Sequence, residues 1–541
     1  MYNRIVQDSS KGGDAVKWRK LFEYITTGLI TAALTAVGTG CGQDENAVQQ
    51  FSFEGYPIGD GAKLTYWCGL NGNLMPSTDS LGNTPYAKKL QEETGVEITY
   101  LHPAKMMETE ELNLLLASGD LPDIIEYDWY HTSGGPESAI SGGYIQPLND
   151  LIEEEAPNLK AYLQEHAEID KMVKTDEGHY YVFPFIRGDE SLCVYQGLML
   201  RGDWLNELGL DVPETIEEWT QVLRAFRDQK GANAPYVYTD TDVFAGGVGT
   251  QTGYYLEEGQ IKYGPMQPEY LDYLRAMKQW YEEGLIDKNI ATLSNTENME
   301  SLRNGSSGAT FGWLESTMGK LNIEMQSKDP AFELIAAPFP AEEKGKIPEF
   351  GYRDAAYMSK GSAAITTACK SSRIAARFLD FSYSEAGRIL NNFGIENESF
   401  TLQDGKITYT DEILHNPDGL SVGEALARYA RSAYSGPFVQ DKEHAELFYT
   451  LPGQQEAMQT WANNNGDQHM LPYICATADE SYEIGTIDNE VKLYLKEMTL
   501  KFIMGVEPLE NFEAFQQGLR DCGIERALEI RQQQYQRYQQ R

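Results

Sequence analysis

The stretch Gly119-Asp120-Leu121-Pro122-Asp123-Ile124-Ile125-Glu126-Tyr127-Asp128-Trp129-Tyr130 decides how this chain folds. A Gly/Pro turn leads into a short strand, because Pro122 stops whatever precedes it and the β-branched Ile124 and Ile125 favour extended backbone. The strand then opens into Tyr127, Asp128, Trp129 and Tyr130. In an open α/β sheet, ligands sit beyond the carboxyl ends of strands, so a strand finishing in Asp and Trp is a candidate cleft wall. An ordinary strand with a surface loop has the same local appearance, so the neighbouring segments carry the decision.

Upstream, Leu64-Thr65-Tyr66-Trp67 reads as a strand, followed by a Gly/Asn/Ser/Pro loop from Asn71 to Asn83. A helix with Tyr86 and Leu90 four apart ends at Gly95, and Val96 to Tyr100 is the next strand. Leu112, Leu115 and Leu116 mark a second helix, closed by Gly119. Strand, helix, strand, helix, strand predicts an α/β layer with parallel pairing.

Downstream, Gly142-Gly143 breaks a helix, Asp150 to Gln164 is acidic and helical, and His179 to Pro184 is aromatic and extended. Arg187-Gly188-Asp189-Glu190 interrupts this run before a strand resumes at Val194 to Leu200, which makes it the first candidate hinge between two units. Thr215 and Glu218 have capping-box spacing at the start of a helix whose apolar face is Ile216, Trp219, Leu223 and Phe226. Glu269 to Gly284 is a further amphipathic helix. Phe311-Gly312-Trp313-Leu314-Glu315 again sets an aromatic and an acid at a strand end. Phe332 to Pro340 is expected to be extended, and a polar loop leads on to Phe350-Gly351-Tyr352-Arg353-Asp354. Ala363 to Thr366 is extended, Ser371 to Ser384 is an amphipathic helix, and Asp488 to Gln540 is largely helical.

A chain of 541 residues exceeds one core and predicts two or more compact units. With 82 acidic against 44 basic residues the net charge is −38, which repels nucleic acid and anionic membrane surfaces and points to neutral or cationic partners. Cys41, Cys68, Cys193, Cys369, Cys475 and Cys522 stand singly, without CxxC or His at metal-ligand spacing. They read mostly as buried thiols and leave room for one disulfide.

The first forty residues read as an export signal: Lys17, Arg19 and Lys20 precede a Thr/Ala/Leu/Ile-rich run from Leu21, which ends in Gly38-Thr39-Gly40-Cys41. A cysteine after small residues resembles the bacterial lipobox, in which it becomes the lipidated first residue. Gly38 departs from the usual aliphatic residue of that motif, and a plain anchor or a secretory signal cut elsewhere is the alternative. Residues 42–60 then form a flexible tether.

Several blocks together resemble the extracellular solute-binding proteins (family 1) of bacterial ABC sugar importers, in the Gram-positive lipoprotein branch. They include Lys63 to Trp67, Gly119 to Ile124, Met199 to Leu205, Val212 to Trp219, Trp280 to Asp287, Asn392 to Glu396, Lys501 to Gly505 and Gln536 to Tyr538, in order from about residue 60 to the end. The resemblance implies an α/β, two-lobed periplasmic-binding-protein-like fold (type II) with a hinge and an interlobe cleft. Residues 61–185 and 354–435 would form one lobe, and 186–353 and 436–541 the other. It further implies a monomer on the extracellular face of the cell membrane, anchored through lipid on Cys41 and handing a carbohydrate to the permease subunits of an ABC transporter. The ATPase would be a separate chain, since no GxxxxGK[ST] loop occurs here.

Hexose rings stack an apolar C–H face on Trp or Tyr, and their hydroxyls pair with Asp, Glu, Asn and Arg. The candidate ligand-binding residues are therefore Trp67, Asn71, Asp128, Trp129, Arg187, Asp189, Trp313, Glu315, Tyr352 and Arg353. No catalytic residue, cofactor or metal is expected: the Arg227 to Ala234 run, with one carboxylate and two cations, is a poor calcium cage. Rival readings are a secreted glycan-acting enzyme, a ligand sensor on a membrane kinase, and a peptide receptor on the same fold.

Overall fold

The computed structural model describes residues 55–58, 61–238, 241–432 and 434–541. The expected signal segment 1–41, Cys41 included, and most of the 42–60 tether lie outside the described residues.

The pattern read around Ile124 forms the heart of a six-stranded sheet. Its strands are β1 (Ala62–Trp67), β2 (Val96–Leu101), β3 (Ile124–Glu126), β4 (Phe183–Arg187), β10 (Tyr357–Ile365) and β13 (Val439–Gln440), in the order β13-β4-β10-β3-β1-β2. β1 pairs in parallel with both β2 and β3, as the strand–helix alternation requires, because a parallel partner can be reached only through a crossover. β10 enters antiparallel between β3 and β4, a pairing that no local pattern announces. A second, antiparallel sheet consists of β5 (Gln196–Arg201) flanked by β8 (Ala309–Trp313) and β9 (Leu334–Ala336). Two hairpins complete the set, β6 (Tyr254–Glu257) with β7 (Gln260–Tyr263), and β11 (Phe400–Gln403) with β12 (Lys406–Tyr409).

β9 is shorter than the extended run expected over Phe332 to Pro340, since Pro338 and Pro340 offer no backbone N–H to a neighbour. The helix expected over Ser371 to Ser384 stops at Asp380 and tightens into a 3₁₀ turn, Phe381–Tyr383. At the helix Ile216–Lys230 only half of the predicted capping box forms: Thr215 accepts the Glu218 amide, but the Glu218 carboxylate reaches back to the Glu214 amide. Complete reciprocal boxes occur at Ser294/Glu297, Ser421/Glu424 and Thr477/Glu480.

Each sheet has its own apolar core. Ile124, Ile125, Phe183, Ile186 and Ile365 belong to the first, and Leu198, Leu200, Trp219, Phe226 and Trp280 to the second. Ile186 lies in the first core and Val194 in the second, so the Arg187 to Glu190 interruption falls where the chain passes between them. Tyr352 packs on the second core and Ala355 in the first, which marks another passage. Of the segment 436–541, Ile474, Cys475 and Tyr538 pack in the first core. The described cysteines are all free thiols.

Candidate functional site

A cavity of about 380 Å³ opens beside these passages and takes walls from both cores. Arg187, at the end of β4, and Trp313 with Glu315, at and just past the end of β8, line it together. Strand ends thus deliver the side chains, because the last residue of each strand has no further ladder to occupy it. Trp313 and Glu315 are half-buried, leaving part of the indole and part of the carboxylate open to the cavity.

Arg187 is held from several directions. Its guanidinium donates to Gln440 Oε1 at 2.9 Å, lies 3.6 Å from Asp354 Oδ2, and stacks 4.6 Å from the Tyr195 ring centre. Tyr195 and Tyr352 share a hydrogen bond at 3.0 Å, and the Tyr352 hydroxyl donates to Asp354 Oδ1 at 2.7 Å. This polar chain ties the first passage between the cores to the second. Three buried polar atoms in or near it have no hydrogen-bond partner among the described residues: Arg187 Nε, Asp354 Oδ2 and the Tyr434 hydroxyl. Buried polar atoms are normally satisfied, so such orphans mark a place where an arrangement is incomplete.

Burial pushes the Glu315 carboxyl above the usual range, Lys320 opposes that shift, and Glu424 adds to it. Burial holds the His444 imidazole neutral, its pKa lowered to about 3, and it shares a 2.9 Å hydrogen bond with the Tyr409 hydroxyl. Burial also drives the Tyr449 phenol up to about 12, with Arg187 opposing and Glu315 reinforcing the shift. At neutral pH the ionised groups on the cavity wall are therefore a guanidinium with partners and a carboxylate.

The other candidates fall in different places. Asp189 caps the turn that puts Ser191 on the wall, accepting the Ser191 amide at 3.0 Å and its hydroxyl at 2.7 Å. Burial raises the Asp189 pKa, yet those bonds and Lys442 outweigh it and hold the carboxyl low. Asn71 shapes the loop after β1, its side chain accepting the amide of Asn73, which lines the cavity. Tyr352 and Arg353 line a separate cavity of about 260 Å³, though Tyr352 reaches the site through Tyr195. Asp128 bonds His131, on the rim of a third cavity of about 880 Å³ between Tyr130 to Pro136 and Asp488 with Arg531. That cavity is larger but gathers none of the strand-end candidates. Trp67 and Trp129 are packing residues in this structure: both are buried, and the Trp129 indole donates to the Ile125 carbonyl. Sequence reasoning misses Tyr195, Gln440, His444 and Tyr449, since no spacing in the chain joins residues 195 and 440 to residue 313.

The run Arg227 to Ala234, read above as a poor calcium cage, keeps its one carboxylate in an ion pair. The Asp228 carboxylate is paired with Arg227, which also donates to the Glu283 carbonyl. No group of acids, histidines or cysteines able to hold a metal ion occurs among the described residues.

The two sheets with their separate cores fit a two-lobed α/β fold, the fold of solute-binding proteins. The chain is 23% identical over 550 residues to the fructooligosaccharide ABC transporter substrate-binding protein FusA of Streptococcus pneumoniae serotype 4, covering 94% of this chain and 97% of that protein. It is 25% identical over 330 residues to the polygalacturonan/rhamnogalacturonan-binding protein YtcQ of Bacillus subtilis, covering 59% of this chain and 61% of that one. The solved structure of the alginate-binding protein AlgQ2 superposes with a TM-score of 0.71 at 25% identity, over 88% of this chain and 98% of that one. No protein-family model matches the chain. These similarities bear out the resemblance drawn from the sequence blocks: the protein is akin to the substrate-binding proteins of ABC importers.

Proposed function

We propose that this protein captures an extracellular oligosaccharide in the cavity of Arg187, Trp313 and Glu315 and delivers it to the permease subunits of an ABC transporter. The observation that carries this reading is the partly exposed Trp313, set with Glu315 and Arg187 on one cavity beside the passages between the two cores. An indole face takes the C–H face of a sugar ring, while carboxylate, guanidinium and the Gln440 amide are the planar groups that pair with hydroxyls. A volume of about 380 Å³ lies within the usual range for small-ligand sites.

In this reading the lobes comprise residues 61–185 with 354–435, and 186–353 with 436–541, except that Ile186, the strand β13, Ile474, Cys475 and Tyr538 belong to the first sheet and its core. The protein acts as a monomer on the outer face of the cell membrane, held by lipid on Cys41. No helix among the described residues is long and apolar enough to cross a membrane, and the lipobox-like run ending at Cys41 is what supports a lipid anchor in this reading. In this reading the protein binds its solute and releases it unchanged, without catalysis.

Thermal unfolding with a panel of neutral and acidic oligosaccharides, amino acids and peptides tests the reading. A ligand at a hundred times its dissociation constant adds about 2.7 kcal/mol and raises the midpoint. A shift with one glycan class, with the glycan recovered intact, is the expected result. Response to peptides alone would move the protein to another ligand class, and cleavage of the glycan would overturn the transport role.

A further inference from the structure

The carbohydrate reading leaves open which saccharides enter, and the fold does not decide it: among the relatives above are a binder of neutral fructooligosaccharide and binders of polyuronates. We propose that Glu315 makes this cavity selective for uncharged and amino sugars and excludes uronates and other acidic saccharides. The proposal rests on the carbohydrate reading and adds the charge class of the ligand.

The ionisable lining residues of the cavity other than tyrosines are Arg187, Glu315 and His444. A uronate needs a cation free to meet it, preferably a guanidinium presented as a fork. Arg187 does not present an open fork: Gln440 takes one terminal nitrogen, Asp354 faces the other, and the flat face lies on Tyr195, which leaves only the buried Nε without a partner. Of the cations just outside, Lys442 pairs with Asp189 at 3.6 Å and Arg353 with Glu190 at 3.5 Å, while the exposed Lys320 acts on Glu315 itself. His444 is buried and neutral.

Glu315 stands in the opposite condition. Its carboxylate forms no ion pair and no side-chain hydrogen bond among the described residues, and the charges that act on it are Lys320 on one side and Glu424 on the other. A carboxylate only accepts hydrogen bonds. It would receive a sugar hydroxyl or an ammonium, and it would face a second carboxylate with like charge across a partly desolvated gap. The overall charge of −38 acts in the same direction, but a Debye length of about 8 Å at physiological salt leaves the decision to groups on the wall itself.

The first test works with the sugar still unidentified. Trp313 borders Glu315 on the cavity, so its fluorescence, isolated as the difference between the full chain and Trp313→Phe, reports which small solutes enter. Acrylamide, which is neutral, is expected to quench this component, and iodide to quench it at least about threefold less. Glu315→Gln should raise iodide quenching severalfold and leave acrylamide quenching unchanged. Equal access of iodide and acrylamide in the native chain would overturn the proposal. A second arm measures thermal midpoints with trigalacturonate, kestose, maltotriose and the glucosamine trimer. Stabilisation by kestose, maltotriose or the glucosamine trimer but not by trigalacturonate supports the proposal; stabilisation by trigalacturonate that survives Glu315→Gln undiminished refutes it. Should every sugar be silent while iodide stays excluded, the carbohydrate reading falls and the exclusion of anions stands.

Discussion

His444 is the residue whose protonation sets a sign that can be worked out. In the unfolded chain it titrates near the ordinary imidazole value of about 6.5, whereas burial lowers it to about 3 in the fold. Between those values the unfolded state holds the extra proton, so stability rises with pH across the window and is lost as pH falls from about 6.5 towards 3. Asp380 works the other way: burial, only partly offset by the Leu159 and Asn158 amides, raises its carboxyl to about 6. The folded state there holds the extra proton, and stability falls as pH rises from about 4 towards 6. Because the two overlap, the difference between the native chain and His444→Gln is the useful quantity. Urea unfolding from pH 7 to pH 4 should show the native chain losing up to a few kcal/mol more than the variant. Parallel pH profiles would mean that folding does not lower the His444 pKa. The sequence held no sign of this: His444 joins Tyr409 across 35 positions, and only the tertiary fold makes it a buried group.

At the scale of the element, β5 shows how closely a strand end and a helix are fitted. Gly197 faces Trp461, and a Cβ added there would lie 2.4 Å from the indole ring. That indole is fully buried and its N–H is shared by the Leu198 and Ala337 carbonyls, at 3.0 and 3.1 Å, which locks the helix Pro452–Ala462 across β5 and β9. Gly197→Ala should therefore cost about 1–3 kcal/mol of stability by overpacking, with Trp461 fluorescence red-shifted if the ring is pushed out. A second joint ties β3 to the segment after residue 426: Arg431 donates to both Glu126 oxygens, at 2.7 and 2.9 Å, in a buried pair. Arg431→Ala leaves Glu126 buried and uncompensated, an expected loss of about 3–5 kcal/mol by chemical denaturation. Arg431 also lies over the Tyr434 ring, so the same variant should loosen that part of the cavity wall and weaken ligand binding. Local pattern announced the elements themselves, since Ile124, Ile125 and the Trp219 stripe obey strand and helix periods. It was silent on which strands pair and on what meets Gly197, because those contacts join residues hundreds of positions apart.

At the scale of the molecule, the candidate site was half legible for the same reason. Arg187, Trp313 and Glu315 could be named as strand ends, but Trp67 and Trp129 satisfied the same pattern and turned inward, as burial is decided by neighbours the sequence does not order. The least anticipated feature is the helix Ile524–Gln540, which begins in the second core at Ile524 and ends in the first at Tyr538. Gln532 bonds the β6–β7 hairpin at Ile261 and Gly259, while Arg537 pairs with Asp176 at 2.7 Å and with Glu480 at 2.6 Å. Arg541 also pairs with Asp176, whose side chain is only 6% exposed. A helix fastened at both ends across two cores resists their separation, so its clasp at Asp176 is expected to hold the two cores together. Asp176→Asn removes the charge and keeps the shape, and should populate a more open form, seen as a larger radius of gyration in solution scattering. Since apparent affinity falls in proportion to the competent fraction, a tenfold loss of the closed form should raise the dissociation constant about tenfold without touching any residue on the cavity. Unchanged scattering together with unchanged affinity would show that the helix merely covers the joint and does not hold it shut.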